Sequence, residues 1–137
     1  MQVTPYLFFN GRCDEALAFY RDALGATVDR IARFKEAPEQ PPGASAEHAD
    51  KVMHASFRVG DSLLMASDGM ADGTTQFKGF ALSLDYADVA QARRAFDALA
   101  QGGKVVMPMD QTFFATIFGM VTDRFGMEWM VGVMQKS

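Results

Sequence analysis

Two side chains offer acid–base chemistry. His54 carries an imidazole, the side chain type suited to a general base or a hydrogen bond to a ligand. Glu128 is a lone carboxylate in the apolar run Met127 to Met134. Alternation along a strand puts Glu128 and Met130 on one face. If that face lines an apolar hollow, burial raises the carboxyl pKa and readies it for proton exchange. The plainer readings are a structural imidazole and a charge at an open rim. Tyr6, Ser67, Gln111 and Thr112 can orient polar parts of a ligand, and Phe80 and Phe114 can stack on its rings or simply pack a core. A mostly apolar pocket with a few such groups is the usual small-molecule site. Cys13 stands near a helix start, where the dipole lowers a thiol pKa, but no His is close in sequence and it reads as an ordinary thiol. His48, in a Pro-rich stretch, reads as solvated.

These residues must be positioned by regular elements. Val3 to Phe9 reads as a strand broken by Asn10-Gly11. Asp14 and Glu15 then stand where a helix N-terminus favours acid, and Leu17, Tyr20 and Leu24 recur at helical spacing up to a Gly25 stop. Thr27 to Phe34 reads as a second strand. Residues 35–51 hold Pro38, Pro41, Pro42 and Gly43 and read as a long loop, of the kind that serves as a lid or stays disordered. Val52 to Val59 alternates, with Met53, Ala55, Phe57 and Val59 on one face and His54, Ser56 and Arg58 on the other beside Val52. Gly60-Asp61 signals a two-residue hairpin turn into a strand Ser62 to Ser67. After a linker the order repeats: a strand over Phe77–Leu84, a helix marked by Asp88, Val89, Ala92, Phe96 and Leu99, a short strand Lys104–Met107 ended by Pro108, then strands Thr112–Thr122 and Met127–Met134.

The repeat shows in residues too. Asp22-Ala23-Leu24 and Asp97-Ala98-Leu99 lie 75 positions apart at one point of the two helices, while the hairpin turns near Gly60 and Phe125 lie 65 apart. A longer internal loop in the first half accounts for the difference. The expected fold is α+β, one domain over 1–137, with a first βαβββ module over about 1–68, a linker over about 69–76 and a second module over about 77–137.

The remaining composition narrows the partners. The chain of 137 residues suits one domain with a core large enough to need no disulfide or metal. A net charge of −4 with no basic block argues against nucleic acid. No apolar run approaches a membrane span, the N-terminus lacks the pattern of a signal peptide, and the default location is the cytoplasm. The 12 Phe and 10 Met are unusually many, and they crowd the last quarter. Met adapts to irregular shapes, so they read as a soft core, a dimer seam or a forgiving pocket.

Taken in order, Pro5-Tyr6-Leu7-Phe8-Phe9-Asn10-Gly11, Phe19-Tyr20, Leu24-Gly25-Ala26, His54-Ala55, Ser67-Asp68, Gly79-Phe80, Gln111-Thr112-Phe113-Phe114, Phe118-Gly119, Asp123, Phe125-Gly126 and Trp129 cover essentially the whole chain. This set resembles the PhnB-like branch of the glyoxalase/bleomycin-resistance superfamily, the vicinal oxygen chelate proteins. The resemblance implies paired βαβββ modules that each curve a mixed sheet around a small-molecule site, and a homodimer. It covers metal-dependent lyases, isomerases, dioxygenases and thiol transferases, together with metal-free binders, and fold does not choose among them. The branch also carries a methyltransferase label. Here no Gly-rich loop links a strand to a helix, since Gly102-Gly103 follows a helix instead.

Metal-dependent relatives place His, Gln or Glu early in each module's first strand and Glu late in its last. The 75-residue offset puts the first positions at or beside Pro5 and Phe80, and the 65-residue offset puts the last near Met65 and Met130. Thr4, Ala66, Ala81 and Val131, one place away, are no better donors. The resemblance therefore predicts a metal-independent binder with no cofactor, and leaves open a displaced metal site at His54 and Glu128. The predicted ligand-binding set is Tyr6, His54, Ser67, Phe80, Gln111, Thr112, Phe114, Glu128 and Met130, and His54 and Glu128 are the catalytic candidates. The alternatives are a lyase, isomerase or dioxygenase with an atypical site, and an interaction domain whose hollow is filled by its own side chains.

Overall fold

Apolar residues at helical spacing in one segment and at spacing two in the next require a helix laid on a sheet. A computed structural model shows this arrangement twice. It describes residues 1–37, 48–69 and 76–135. Residues 38–47 of the expected lid and 70–75 of the linker lie outside the described residues. The chain divides into two units, Met1–Thr75 and Gln76–Ser137.

The first unit runs β1 (Tyr6–Phe8), α1 (Cys13–Leu24), β2 (Thr27–Arg33), a short 3-10 turn over Phe34–Glu36, β3 (Val52–Val59) and β4 (Ser62–Ser67). Its sheet has the order β1-β4-β3-β2, with β1 parallel to β4 and the other pairs antiparallel. Helix α1 covers one face. Tyr20 lies flat against Phe57 with ring centroids 6.2 Å apart, and Leu7, Phe9, Ala16, Leu17, Ala55, Leu64 and Ala66 are buried with them. The α1 start has no cap from Arg12; Asp68, just beyond β4, accepts from the Cys13 backbone N–H at 2.8 Å instead. Gly25 ends α1 in the left-handed conformation, φ +69°, as its position in the sequence suggested.

The second unit runs β5 (Leu82–Asp85), α2 (Val89–Ala100), β6 (Lys104–Asp110), β7 (Ala115–Thr122) and β8 (Glu128–Met134), in the sheet order β5-β8-β7-β6 with β5 parallel to β8. Asp88 caps α2, its carboxylate accepting from the Ala90 N–H. Phe96 and Leu99 of α2 are buried, as are Val121, Trp129 and Val131 of the sheet. Gly119 of β7 sits beneath the helix: a Cβ there would come within 2.8 Å of Phe96.

Both units are therefore α+β, with four-stranded mixed sheets of βαβββ type. Several strand limits differ from expectation: β1 spans Tyr6–Phe8 rather than Val3–Phe9, and β2, β5 and β8 each shift by one residue at an end. β5 starts at Leu82 rather than Phe77, and β7 starts at Ala115 rather than Thr112, because the Thr112 hydroxyl accepts from the Phe114 and Ala115 N–H groups and turns the chain there. β6 runs through Pro108 to Asp110, since it is the edge strand and a missing N–H costs little on an open edge. Among the described residues no helix is long and apolar enough to cross a membrane.

Candidate functional site

With a helix on one face of each sheet, chemistry falls to the other face. In the first unit, strand alternation brings Tyr6 and Phe8 out on that face beside His54, Ser56 and Met65. The Tyr6 hydroxyl lies 2.8 Å from Nδ1 of His54, and the Tyr6 ring sits 5.0 Å from Phe8 and 5.5 Å from the imidazole. Tyr6 and Phe8 remain 39% and 52% exposed, an aromatic surface open to a partner. Burial, helped by nearby Cys13, pushes the Tyr6 pKa up against a hydrogen bond from Ser67, so at neutral pH the phenol keeps its proton. Ser67 is itself buried. Its oxygen accepts from the Gly69 N–H at 2.8 Å and stands 3.3 Å from the Val52 carbonyl, so its one proton serves either that carbonyl or Tyr6. Three of the predicted residues thus meet: Tyr6, His54 and Ser67.

Beneath this cluster Asp68 is fully buried and ties three segments together. Its Oδ1 accepts from the Gly11 and Cys13 N–H groups and its Oδ2 from the Val52 N–H, all at 2.8 Å. Cys13 is also fully buried. Burial first, then the Asp68 and Asp14 carboxylates, push its thiol pKa well above the ordinary range against the pull of Arg33, so desolvation outweighs the helix dipole. His48 corrects an expectation. It is buried rather than solvated, with its ring centroid 4.0 Å from that of Phe34, which closes the end of β2.

In the second unit the outer face presents registered rows. Met107, Met120, Met130 and Ser83 form one, Lys104, Thr122 and Glu128 a second, and Asp110, Phe118, Gly132 and Asp85 a third. A hollow of about 230 Å³ opens over the third row, lined by Ser83, Leu84, Asp85, Phe118, Gly132 and Met134. Glu128 and Met130 share a face as expected, but neither lines the hollow; Glu128 is half-buried four residues before Gly132, about 13 Å along the strand. Phe114 stacks edge-on to Phe118, 5.2 Å away, and so stands one ring behind the hollow. Thr112 is taken up in its turn, the Gln111 N–H bonds Asp110, and Phe80 lies before β5 against Phe77. Trp129 faces α2 and donates its indole N–H to buried Asp123 at 2.8 Å.

The register also corrects the offset between modules. Tyr6 pairs with Met65, and the partner of Met130 is Ser83, 77 positions after Tyr6, not Phe80. Sequence reasoning missed Phe8, Ser83, Asp85 and Phe118. The alternation Leu82-Ser83-Leu84-Asp85, two apolar residues inward and two polar outward, was the available signal for Ser83 and Asp85.

These paired βαβββ sheets agree with a sequence comparison, in which a family model described as Glyoxalase/Bleomycin resistance protein/Dioxygenase superfamily matches residues 2–131. The chain belongs to this superfamily. It is 39% identical over 145 residues to protein YjdN of Escherichia coli, covering 100% of this chain and 98% of that protein. The crystal structure of protein PA1353 from Pseudomonas aeruginosa superposes with a TM-score of 0.85 at 45% identity over 99% of each chain. A structure from Bacillus cereus titled a putative 3-demethylubiquinone-9 3-methyltransferase, PhnB protein, superposes with a TM-score of 0.80 at 25% identity, covering 97% of this chain and 99% of that one. Within the superfamily the chain is PhnB-like.

Some proteins of this superfamily use a divalent metal, and the strand positions test whether this chain suits one. The residues paired between first and last strands are Tyr6 with Met65 and Ser83 with Met130. A protonated phenol, a hydroxyl and two thioethers are poor donors for a hard or borderline cation. Among the described residues no three His, Cys, Asp or Glu side chains gather to hold one. The donor set does not fit such a metal.

Proposed function

We propose that this superfamily member binds a small aromatic or amphipathic molecule without a metal. The observation that carries the reading is the outer face of the first sheet, where exposed Tyr6 and Phe8 rings flank the Tyr6–His54 hydrogen bond. Aromatic rings beside a fixed pair of polar atoms give a ligand stacking surface and orientation together. The methionine row of the second sheet adds an adaptable apolar floor. With superfamily membership we further propose a homodimer, and a cytoplasmic location, where the single buried thiol stays reduced.

A thermal-shift screen of purified protein against aromatic metabolites and antibiotics, with and without EDTA, tests the proposal. A ligand selective for the folded state raises Tm. Binding that persists in EDTA and weakens at least tenfold in a Tyr6→Ala/His54→Ala variant supports it. Binding that requires stoichiometric divalent metal overturns it.

An enzymatic reading, a lyase or isomerase, draws on the same hydrogen bond, because His54 and a protonated Tyr6 could pass a proton to and from a ligand. Turnover of a bound ligand, lost in His54→Gln while binding is kept, distinguishes it. The methyltransferase wording of the Bacillus cereus structure does not transfer here, because this sequence lacks a Gly-rich strand-to-helix loop for the cofactor.

A further inference from the structure

The hollow of the second unit has a charge preference of its own. Its six lining residues include one carboxylate, Asp85, one hydroxyl, Ser83, one aromatic ring, Phe118, and no Lys, Arg or His. No hydrogen bond or ion pair holds the Asp85 carboxylate among the described residues. The row beneath runs Asp110, Phe118, Gly132, Asp85, with a carboxylate at each end and the ring between them. Asp110 accepts from the neighbouring Gln111 N–H through one oxygen, which leaves Asp85 as the acceptor that faces the hollow without a partner. Gly132 makes the floor, where a Cβ would meet the Ile117 carbonyl at 2.9 Å and the Phe118 ring at 3.3 Å. The lack of a side chain is therefore a packing requirement that also keeps the space between Phe118 and Asp85 open.

We propose that this hollow binds the ammonium group of a small organic amine, with Asp85 as counter-ion, Ser83 as hydrogen-bond acceptor, and Phe118 and Met134 against the carbon skeleton. An exposed carboxylate and the edge of a largely buried aromatic ring, set across Gly132 on the same hollow, match an organic cation on two counts, charge pairing and attraction of the cation to the ring quadrupole. Neutral ligands gain from the ring alone, and anions meet Asp85 as a like charge. The proposal rests on the reading that the helix-free sheet faces receive a small molecule, and adds the class of molecule.

Benzylamine, benzyl alcohol and benzoate share a skeleton and differ in charge. Titration of each into 15N-labelled full-length protein at pH 7 and low salt reads binding at the Ser83, Asp85, Phe118 and Gly132 amides. The expected result is saturable shifts with benzylamine, at least tenfold weaker binding of benzyl alcohol, and none of benzoate. Asp85→Asn is expected to lower benzylamine affinity at least tenfold with an unchanged Tm, and Phe118→Leu about fivefold. Benzyl alcohol binding at these amides as tightly as benzylamine overturns the amine assignment and leaves the small-molecule reading standing. Failure of all three probes at these amides also overturns it, and if the wider screen is silent as well, both readings fall. Unchanged benzylamine affinity in Asp85→Asn overturns it too.

Discussion

At the scale of single residues, the buried polar atoms of the first unit are joined into one knot. Asp68 accepts backbone hydrogen bonds from the turn before α1, from the first residue of α1 and from the start of β3. Asp68→Ala leaves three donors without their acceptor, and each buried orphan costs about 1–3 kcal/mol. We expect a loss of about 3 kcal/mol or more in urea unfolding, with the Tyr6–His54 face disturbed because Asp68 directly follows Ser67, the last residue of β4. Cys13, beside Asp68, sets a pH dependence. Its raised pKa keeps the folded thiol protonated, while the unfolded thiol ionises near about pH 8.5. The unfolded chain then holds fewer protons, so this contribution to stability is whole below about pH 8.5 and is lost as pH rises above it. Between pH 7.5 and 10 the wild type should lose about 2 kcal/mol more than Cys13→Ala, at about 1.36 kcal/mol per pH unit beyond the unfolded pKa. Equal alkaline slopes for the two proteins would remove Cys13 as the cause.

At the scale of elements, what was legible in the sequence depended on how local the signal was. The hairpin β3–β4 could be read to the residue, because clean alternation flanks Gly60-Asp61 and a two-residue turn admits one register. α2 could be read from Asp88 and its apolar stripe. β5 could not be placed, since its four residues derive their strand character from pairing with β8, a partner more than 40 residues away. That misplacement put Phe80 in the candidate site and left Ser83 and Asp85 out of it. The candidate site was legible where it lay on the well-read strands, at Tyr6, His54 and Ser67, and not where it depended on long-range register. The close contact of α2 with its sheet gives a test at this scale. Gly119→Ala sets a methyl 2.8 Å from both Phe96 and the Met109 sulfur and 3.1 Å from the Met107 carbonyl. Overpacking of this kind costs about 1–3 kcal/mol. The loss should appear as a lower urea midpoint and faster amide exchange in α2 and β7, with the first unit's sheet amides unchanged.

At the scale of the whole molecule, two units of one plan carry faces of different chemistry: Tyr6, Phe8 and His54 on the first sheet, methionine, Phe118 and Asp85 on the second. In each unit the helix-facing core must pack, while the open face is free to differ. The second unit also exposes several large apolar side chains. Val105, Val106 and Met107 on the edge strand, Phe114 and Met134 are exposed, and Phe113 is 92% exposed. Monomers rarely leave a large contiguous apolar patch in water. The edge strand is guarded against strand addition by Pro108 within it and by Lys104 and Asp110 at its ends, so the proposed homodimer should form through side chains. Light scattering at tens of micromolar should then return about twice the chain's 15.0 kDa. Phe113→Ser combined with Val106→Glu should return the single-chain mass with circular dichroism intact. A wild-type mass of one chain at that concentration would end the dimer proposal and leave Phe113 as an exposed ring packed edge-on against Phe114.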